Sequence, residues 1–460
     1  MRWLRLNTWC WFNYFKPSQK DFRTKLKTPF SLLLGILCFW LINHYEYRVL
    51  CAVLVFVLCL LLVYFPKHLL LTSVFVLVLM LSVHIINLKP ITKFIEGKFV
   101  VIDHIGMGSV IKVDGQNILI HTKMESSIGD IIVIKGNIRP ITNVGEFDIV
   151  SYLKTHKIAS EIFPTKFSIY EYSDSFFNKT RSYIHTGNPT WKSIAPLLLL
   201  GEKTKLTKEV FSISKRLSIL HLFVISGFHI GIVYKVVLFI FEKLKMPYCD
   251  LFSLMPIIVY VFLLNWSLPA LRALIFIVLT VGFGHFKKIR IFKFDVIGIV
   301  GMLLVSFNPF LIESISFQLT FIATLTIMYL NTLDIKSKSV KYFIINFGVF
   351  LATLPIVASM NGWISLWGVF YSIALTPLIS LIYVLSLLLI PFKSLLSNLY
   401  YILLLTLKVF NKTVIIIKTN FFSTTLTYNY YIIFTICILF MEKRVSLSIM
   451  RKSVLSQNSV

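Results

Sequence analysis

Residues 217–237 read LSILHLFVISGFHIGIVYKVV, an apolar run in which His221, Ser226, Gly227 and His229 stand out. A helix crossing the hydrocarbon core of a bilayer needs about 20 mostly apolar residues, and this stretch predicts one over 217–240. Polar side chains at that depth are costly, so they face the interior of a helix bundle or a wet cavity. Gly227 beside Ser226 permits a kink or a close helix approach. The same four residues also fit a plainer reading, in which both histidines only hydrogen-bond to neighbouring helices.

Working outward, apolar blocks recur near 251–266, 268–284, 296–307, 314–330, 342–359, 365–391, 398–417 and 431–441. The 296–307 block is short for a span. Lys408, Lys412 and Lys418 give the 398–418 stretch an amphipathic pattern that also suits a helix lying on the membrane surface. WKSIAPLLLLG (191–201) is too short to cross and contains Pro196, which favours an interfacial or re-entrant segment. Upstream, three further blocks lie near 29–45, 49–65 and 68–88, behind a basic arm over residues 1–28.

Composition agrees with this pattern. The 460 residues are 57% hydrophobic and only 14% charged, against about 45–50% and about 25% for soluble domains. A cytosolic enzyme, a disordered scaffold and a disulfide-rich secreted domain are excluded. The 46 Lys and Arg against 20 Asp and Glu give a formal charge of +26. In a soluble protein that excess would point to nucleic acid; here the positive-inside rule already accounts for it. A cytoplasmic arm places the end of the third span outside. Nine later crossings then put 285–294, 331–341 and the tail from Glu442 inside, and these segments are strongly basic. The cysteines (Cys10, Cys38, Cys51, Cys59, Cys249 and Cys437) form no CxxC pair and leave 60–248 empty, so neither a disulfide framework nor a thiolate metal site is indicated.

Residues 97–172 differ from everything around them. Short β-rich runs, KFVVIDH (98–104), GSVIKV (108–113), QNILIHT (116–122), DIIVIKGNIR (130–139) and IASEIF (158–163), are separated by turn residues. A helical stretch, 147–157, precedes the last. Five strands and one helix suit a small OB-like barrel. The fold class is therefore a polytopic α-helical integral membrane protein with one small extracytoplasmic β-barrel (OB-like) domain. Its parts are a basic cytoplasmic arm (1–28), three N-terminal transmembrane helices (29–90), the barrel (97–172), a transmembrane domain (190–441) and a basic cytoplasmic tail (442–460). The barrel carries eight Lys and Arg against eight Asp and Glu, and phosphate binding runs mainly on net cationic charge. Phe99, Phe147, Tyr152, Phe163, Phe167 and Tyr170 could form a stacking surface, although aromatics in a small barrel more often fill its core.

Five collinear motifs carry a family resemblance. LLLLGEKTKL (197–206) followed by HLFVISGFHIG (221–231), then PALRALIF (269–276), NPFLIESISFQLTFIATL (308–325) and LATLPIVASMNGWISLWGVF (351–370), resemble the ComEC family of competence membrane proteins. GDIIVIKGNIRP (129–140) and VGEFDIVSYLKTHKIA (144–159) resemble the end of that family's external domain. The resemblance covers roughly 97–390. It implies a multi-pass protein of the bacterial plasma (inner) membrane, both termini cytoplasmic, that admits one strand of DNA during transformation. Its implied partners are membrane lipid, single-stranded DNA, a cytoplasmic DNA-pulling helicase and, where one is used, a separate nuclease. Many family members carry a C-terminal metallo-β-lactamase-like domain with an H-x-H-x-D-H motif. No such motif occurs in this sequence, whose last histidine is His285, so that domain is expected to be lacking.

Substrate-path candidates are His221, Ser226, Gly227, His229, Arg272 and Gln318. Arg272, three residues after Pro269, either snorkels to the outer interface, the favoured reading, or meets phosphate in a polar conduit. Gln318 either glues helices together or lines a path. Lys235 and Glu313 fall near span ends and call for no special role. No Walker A loop, nucleophile elbow or metal-spaced cluster is present. No catalytic residue, metal or cofactor is expected. The alternative reading is a polytopic transporter or flippase of a small or amphiphilic substrate on a similar scaffold; a remnant that no longer conducts is a third.

Overall fold

The computed structural model describes residue 78 and residues 88–419, apart from 106–107, 123–125, 127, 144–148, 286–292 and 334. The expected N-terminal arm, the three N-terminal spans, the 431–441 span and the basic tail lie outside the described residues.

The barrel is built from β1 (Lys93–Ile105), β2 (Gly108–Val113), β3 (Gln116–Ile120), β4 (Ile131–Pro140), α1 (Ile149–Lys154), β5 (Ile158–Ile162) and β6 (Lys166–Glu171). Strands run in the order β1-β2-β3-β5-β4, and pairing of β1 with β4 closes the ring. β3 and β5 pair in parallel, which requires the crossover that β4 and α1 supply. Alternate residues point inward, so Val101, Ile111, Ile118, Ile120, Ile132, Ile134 and Ile162 form one dry core. β6, unanticipated in the sequence, extends the sheet along the first half of β4. Its inward Phe167 and Ile169 pack on the core together with Phe99. Tyr152, Phe163 and Tyr170 are exposed, and Phe147 lies outside the described residues, so the aromatics divide between core and surface.

The expected helix at 147–157 is shorter. Leu153 of α1 packs outside the barrel against Val110, Leu119 and Ile158 of β2, β3 and β5. OB-type domains commonly use the face of strands 2 and 3 for oligonucleotides. Here Leu153 of the domain's own helix covers Val110 and Leu119 on that side.

The helical region begins with α2 (Phe176–His185), α3 (Pro189–Ala195) and α4 (Lys208–Arg216), and continues with α5 (Gly227–Lys243), α6 (Cys249–Phe252) and α7 (Leu254–Leu263). There follow α8 (Leu268–His285), α9 (Lys293–Phe307), α10 (Ile315–Thr332), α11 (Lys338–Asn361), α12 (Gly368–Leu388) and α13 (Lys393–Lys412). Among the described residues four segments are long and apolar enough to cross a membrane: Leu220–Lys243, which counts the residues leading into α5, and Lys338–Asn361, Gly368–Leu388 and Lys393–Lys412. α7 to α10 are shorter apolar helices.

α3 runs into a π-helical turn, Pro196–Leu200, whose prolyl residue has no N–H to donate. Gly201 ends it with φ 72°, the left-handed cap that glycine adopts without a Cβ penalty. Trp191, Ile194 and Leu197–Leu200 are all buried, so this short helix lies within the largest apolar core among the described residues. Leu375, Ile379 and Tyr383 of α12 and Leu396, Tyr400, Leu403 and Leu407 of α13 enclose it. α13 thus buries a full stripe, and Lys408 on its other face reaches Glu209 at 3.0 Å.

Strict alternation of the spans would put the turn after α12 on the side away from the barrel. The contacts place it otherwise. Lys393 donates to the carbonyls of Tyr183 (2.5 Å) and Thr186 (2.8 Å) at the end of α2. At its other end, α12 lies beside the start of α11, with the rings of Phe370 and Phe343 6.2 Å apart. The reason is an extended return. Gly362 ends α11 at φ 69°, and β7 (Trp363–Ser365) then pairs antiparallel with β8 (Ile416–Lys418). Hydropathy alone reads 365–391 as one continuous block and does not see this reversal.

The barrel sits on two turns of the helical region. Asn265, before α8, donates to Asp103 Oδ1 at 2.5 Å, and Asn308, before α10, donates to the Thr155 carbonyl at 2.7 Å. Arg181 of α2 completes this level with two bonds to the Leu263 carbonyl, at 2.6 and 2.9 Å.

Candidate functional site

The stretch 217–237 is not one helix. Regular α-helix starts only at Gly227; residues 218–226 are irregular apart from one 3₁₀ turn, Leu220–Leu222. Leu217, Ile219, Leu222, Phe223 and Ile225 are nevertheless buried. Non-helical backbone at membrane depth survives only where protein encloses it or water reaches it. The segment begins at Ser218, whose φ is 58°, against Gly368 at the start of α12.

His229 ends the irregular stretch. Its Nδ1 accepts from the Ser226 backbone N–H at 3.3 Å and lies 3.1 Å from Ser226 Oγ. Its Nε2 donates to the Leu222 carbonyl at 3.2 Å. These bonds fix a neutral imidazole with the proton on Nε2, so the pair works as a reciprocal helix cap with histidine in place of the usual Glu or Gln. The ring also stands edge-on to Tyr383, centroids 4.6 Å apart. Tyr383 in turn donates to Tyr260 at 3.0 Å, and Tyr260 to the Leu199 carbonyl at 2.8 Å. Gly227 is therefore the first residue of a helix and not a kink within one.

Arg272 does not snorkel. Its side chain is 4% exposed, and its guanidinium spans to α10, donating from Nη1 to the Ser316 carbonyl (2.8 Å) and from Nη2 to Ser316 Oγ (3.1 Å). Nε is buried with no partner. A desolvated guanidinium without an opposing charge costs several kcal/mol. No carboxylate among the described residues reaches it.

Between α5, α8, α9 and α10 lies a cavity of about 90 Å³. Gly227, Gly231 and Lys235 of α5, Pro269 and Arg272 of α8, and Thr320 and Thr324 of α10 contribute to its wall. Two of the residues singled out in the sequence, Gly227 and Arg272, thus share one cavity, and Ser226 and His229 cap the helix that bounds it. His221 is exposed, with Nε2 3.5 Å from Ser372 Oγ. Gln318 lies apart and donates to the Ile312 carbonyl at 2.9 Å, closing a local turn. The sequence alone puts Lys235 near a span end. With α5 starting at Gly227 it belongs to the helix middle, and its spacing of eight from Gly227, which keeps two residues on one helical face, was the available signal.

The barrel seat carries a second polar group. His104 and His156 both have their pKa values lowered by desolvation, opposed by the charge of Asp103. His185 and Glu202 pair at 2.6 Å nearby. Among the described residues no cluster of three or more His, Cys, Asp or Glu side chains is placed to hold a metal ion.

Comparison with known proteins adds the following. The chain is 23% identical over 197 residues to the uncharacterised protein MG316 of Mycoplasma genitalium, an overlap of 43% of this chain and 51% of that one. It is 29% identical over 192 residues to an uncharacterised protein of Aquifex aeolicus, 41% of this chain and 44% of the other. An MG316 homologue from Mycoplasma pneumoniae is 24% identical over 196 residues, covering 42% and 50%. The chain spans about half the length of the curated relatives it matches. No solved structure matches it. The profile described as Competence protein matches residues 198–444, more than half of the chain and all six candidate path residues, and the chain belongs to that ComEC-type family.

Proposed function

We propose that this protein serves DNA uptake in competence as the plasma-membrane component that passes a single strand inward. The supporting observation is the site beneath the barrel. An irregular buried segment leads into the head of α5, and a buried arginine faces that helix across a cavity. A polyanion crossing a bilayer needs cationic groups and helix N-termini at depth, and broken helices commonly supply both. In this reading the barrel faces away from the cytoplasm and the protein conducts without catalysing. Cytoplasmic partners, among them a DNA-pulling helicase, supply the work, and a separate nuclease supplies any strand degradation.

The test is entry of labelled DNA into the cytosol of a deletion strain complemented with wild type, Gly227→Leu or His221→Leu, with membrane abundance measured in parallel. Abolished entry at normal abundance is expected for Gly227→Leu, and His221→Leu, outside the cavity, serves as the control. Entry unaffected by the deletion would refute the uptake role and leave transport of a smaller substrate as the reading.

A further inference from the structure

We infer that the cavity between α5, α8 and α10 is a binding site for a phosphate oxyanion, with the Arg272 guanidinium as its cation. Three independent features of the cavity converge on an anion. First, a guanidinium has five N–H donors. Ser316 accepts from Nη1 and Nη2, two of those donors, and Nε is buried with no partner, although the side chain is only 4% exposed. Second, the wall includes Lys235 as well as Arg272 and no Asp or Glu. Third, Gly227 and Pro269 lie in the first turns of α5 and α8, helices of 17 and 18 residues, so two positive dipole ends meet at the same place.

The space fits as well. Gly227 and Gly231 share one face of α5 and present no side chain to the cavity. Its 90 Å³ equals the liquid volume of about three water molecules, room for one phosphate group but not for a nucleotide. The hydroxyls of Thr320 and Thr324 are committed to the carbonyls of Ser316 and Thr320, at 2.8 and 2.6 Å. That leaves the guanidinium fork, whose planar geometry matches an oxyanion edge, as the directed donor. The phosphate can belong to a passing strand or to a lipid headgroup. The strand as its source rests on the uptake reading, whereas the site itself does not.

The competing account makes Arg272 only a strut between α8 and α10. To separate the two, Thr320→Cys is placed in a background with the native cysteines replaced by serine, purified and held in zwitterionic nanodiscs. Its reaction with an anionic and with a cationic methanethiosulfonate reagent is then timed. The anionic reagent should react at least tenfold faster, inorganic phosphate should slow it, and Arg272→Gln should bring the two rates together. Arg272→Lys should keep the preference for the anionic reagent while weakening phosphate protection tenfold or more. Ser316→Ala should keep both, because it removes a strut contact and not the cation. Equal rates in the parent, no reaction with either reagent, or loss of protection in Ser316→Ala equal to that in Arg272→Gln would overturn the site. Protection by oligothymidylate identifies a strand as the source. Protection that appears only on adding phosphatidylglycerol identifies a lipid, and keeps the site while removing its support for DNA passage.

Discussion

Alanine at Gly368 probes how the irregular segment before α5 is held. A Cβ at that position would lie 2.9 Å from Ser218 Cβ, 3.2 Å from Ser218 Oγ and 3.4 Å from Phe350 Cε2. Carbon atoms pack best at about 3.5–4.0 Å, so the first of these contacts forces a shift. Ser218 Cβ cannot swing aside, because it is bonded directly to a backbone with φ 58°. Overpacking of this kind costs about 1–3 kcal/mol, and alanine's better helix propensity returns at most about 1 kcal/mol. With the full return, Gly368→Ala should therefore destabilise by up to about 2 kcal/mol. Ser218→Gly removes the colliding atoms and relieves a left-handed conformation that costs an L-residue roughly 1–2 kcal/mol, so alone it should be neutral or stabilising. The double variant should unfold close to Ser218→Gly, a coupling of about 1–3 kcal/mol. Apparent unfolding midpoints of the four proteins, purified in one detergent, read this out. If the two changes add, Ser218 is not packed against α12 and the account of residues 218–226 fails.

Removing the Tyr260 hydroxyl strands both the Leu199 carbonyl and the Tyr383 hydroxyl, so Tyr260→Phe should cost about 1–3 kcal/mol. Tyr383→Phe loses one bond and should cost about 0.5–1.5 kcal/mol; the reverse order in thermal unfolding would contradict the chain of donors. His104 and His156 are held below the usual 6.5 by burial, so below that pH the unfolded chain binds more protons than the folded one. Stability should be full above about pH 6.5 and fall as pH drops toward the lowered values. Glutamine at both positions should flatten that part of the profile, and a slope unchanged by the pair would refute the assignment. Tyr172, 72% exposed just after β6, should react as cysteine with a membrane-impermeant reagent in cells with a permeabilised outer layer. Labelling only after lysis would place the barrel in the cytoplasm.

The barrel was legible because its physics is local. Period-two alternation and turn residues give each of the first five strands, whereas KFSIYE follows Pro164 closely and makes sense only as a partner for β4. The helical blocks were legible from hydropathy, but hydropathy scores a buried irregular chain and a buried helix alike, so the break before Gly227 was not. Its local sign, Ser226 three residues before His229, lacks the carboxylate or amide of an ordinary capping box. Burial of Arg272 depends on Ser316, 44 residues away, and no window around PALRALIF contains it. The reversal through β7 depends on β8, in the same way.

The seating of the barrel has a thermodynamic corollary. It rests on the turns that head α8 and α10, and those helices are pinned to one another by Arg272 and Ser316. A single rigid body thus straddles a seam. Any ligand or load that parts the two helix heads must weaken the hold of the barrel, and by reciprocity a barrel that lifts must ease that parting by the same free energy. The domain outside the bundle and the cavity within it cannot be adjusted independently.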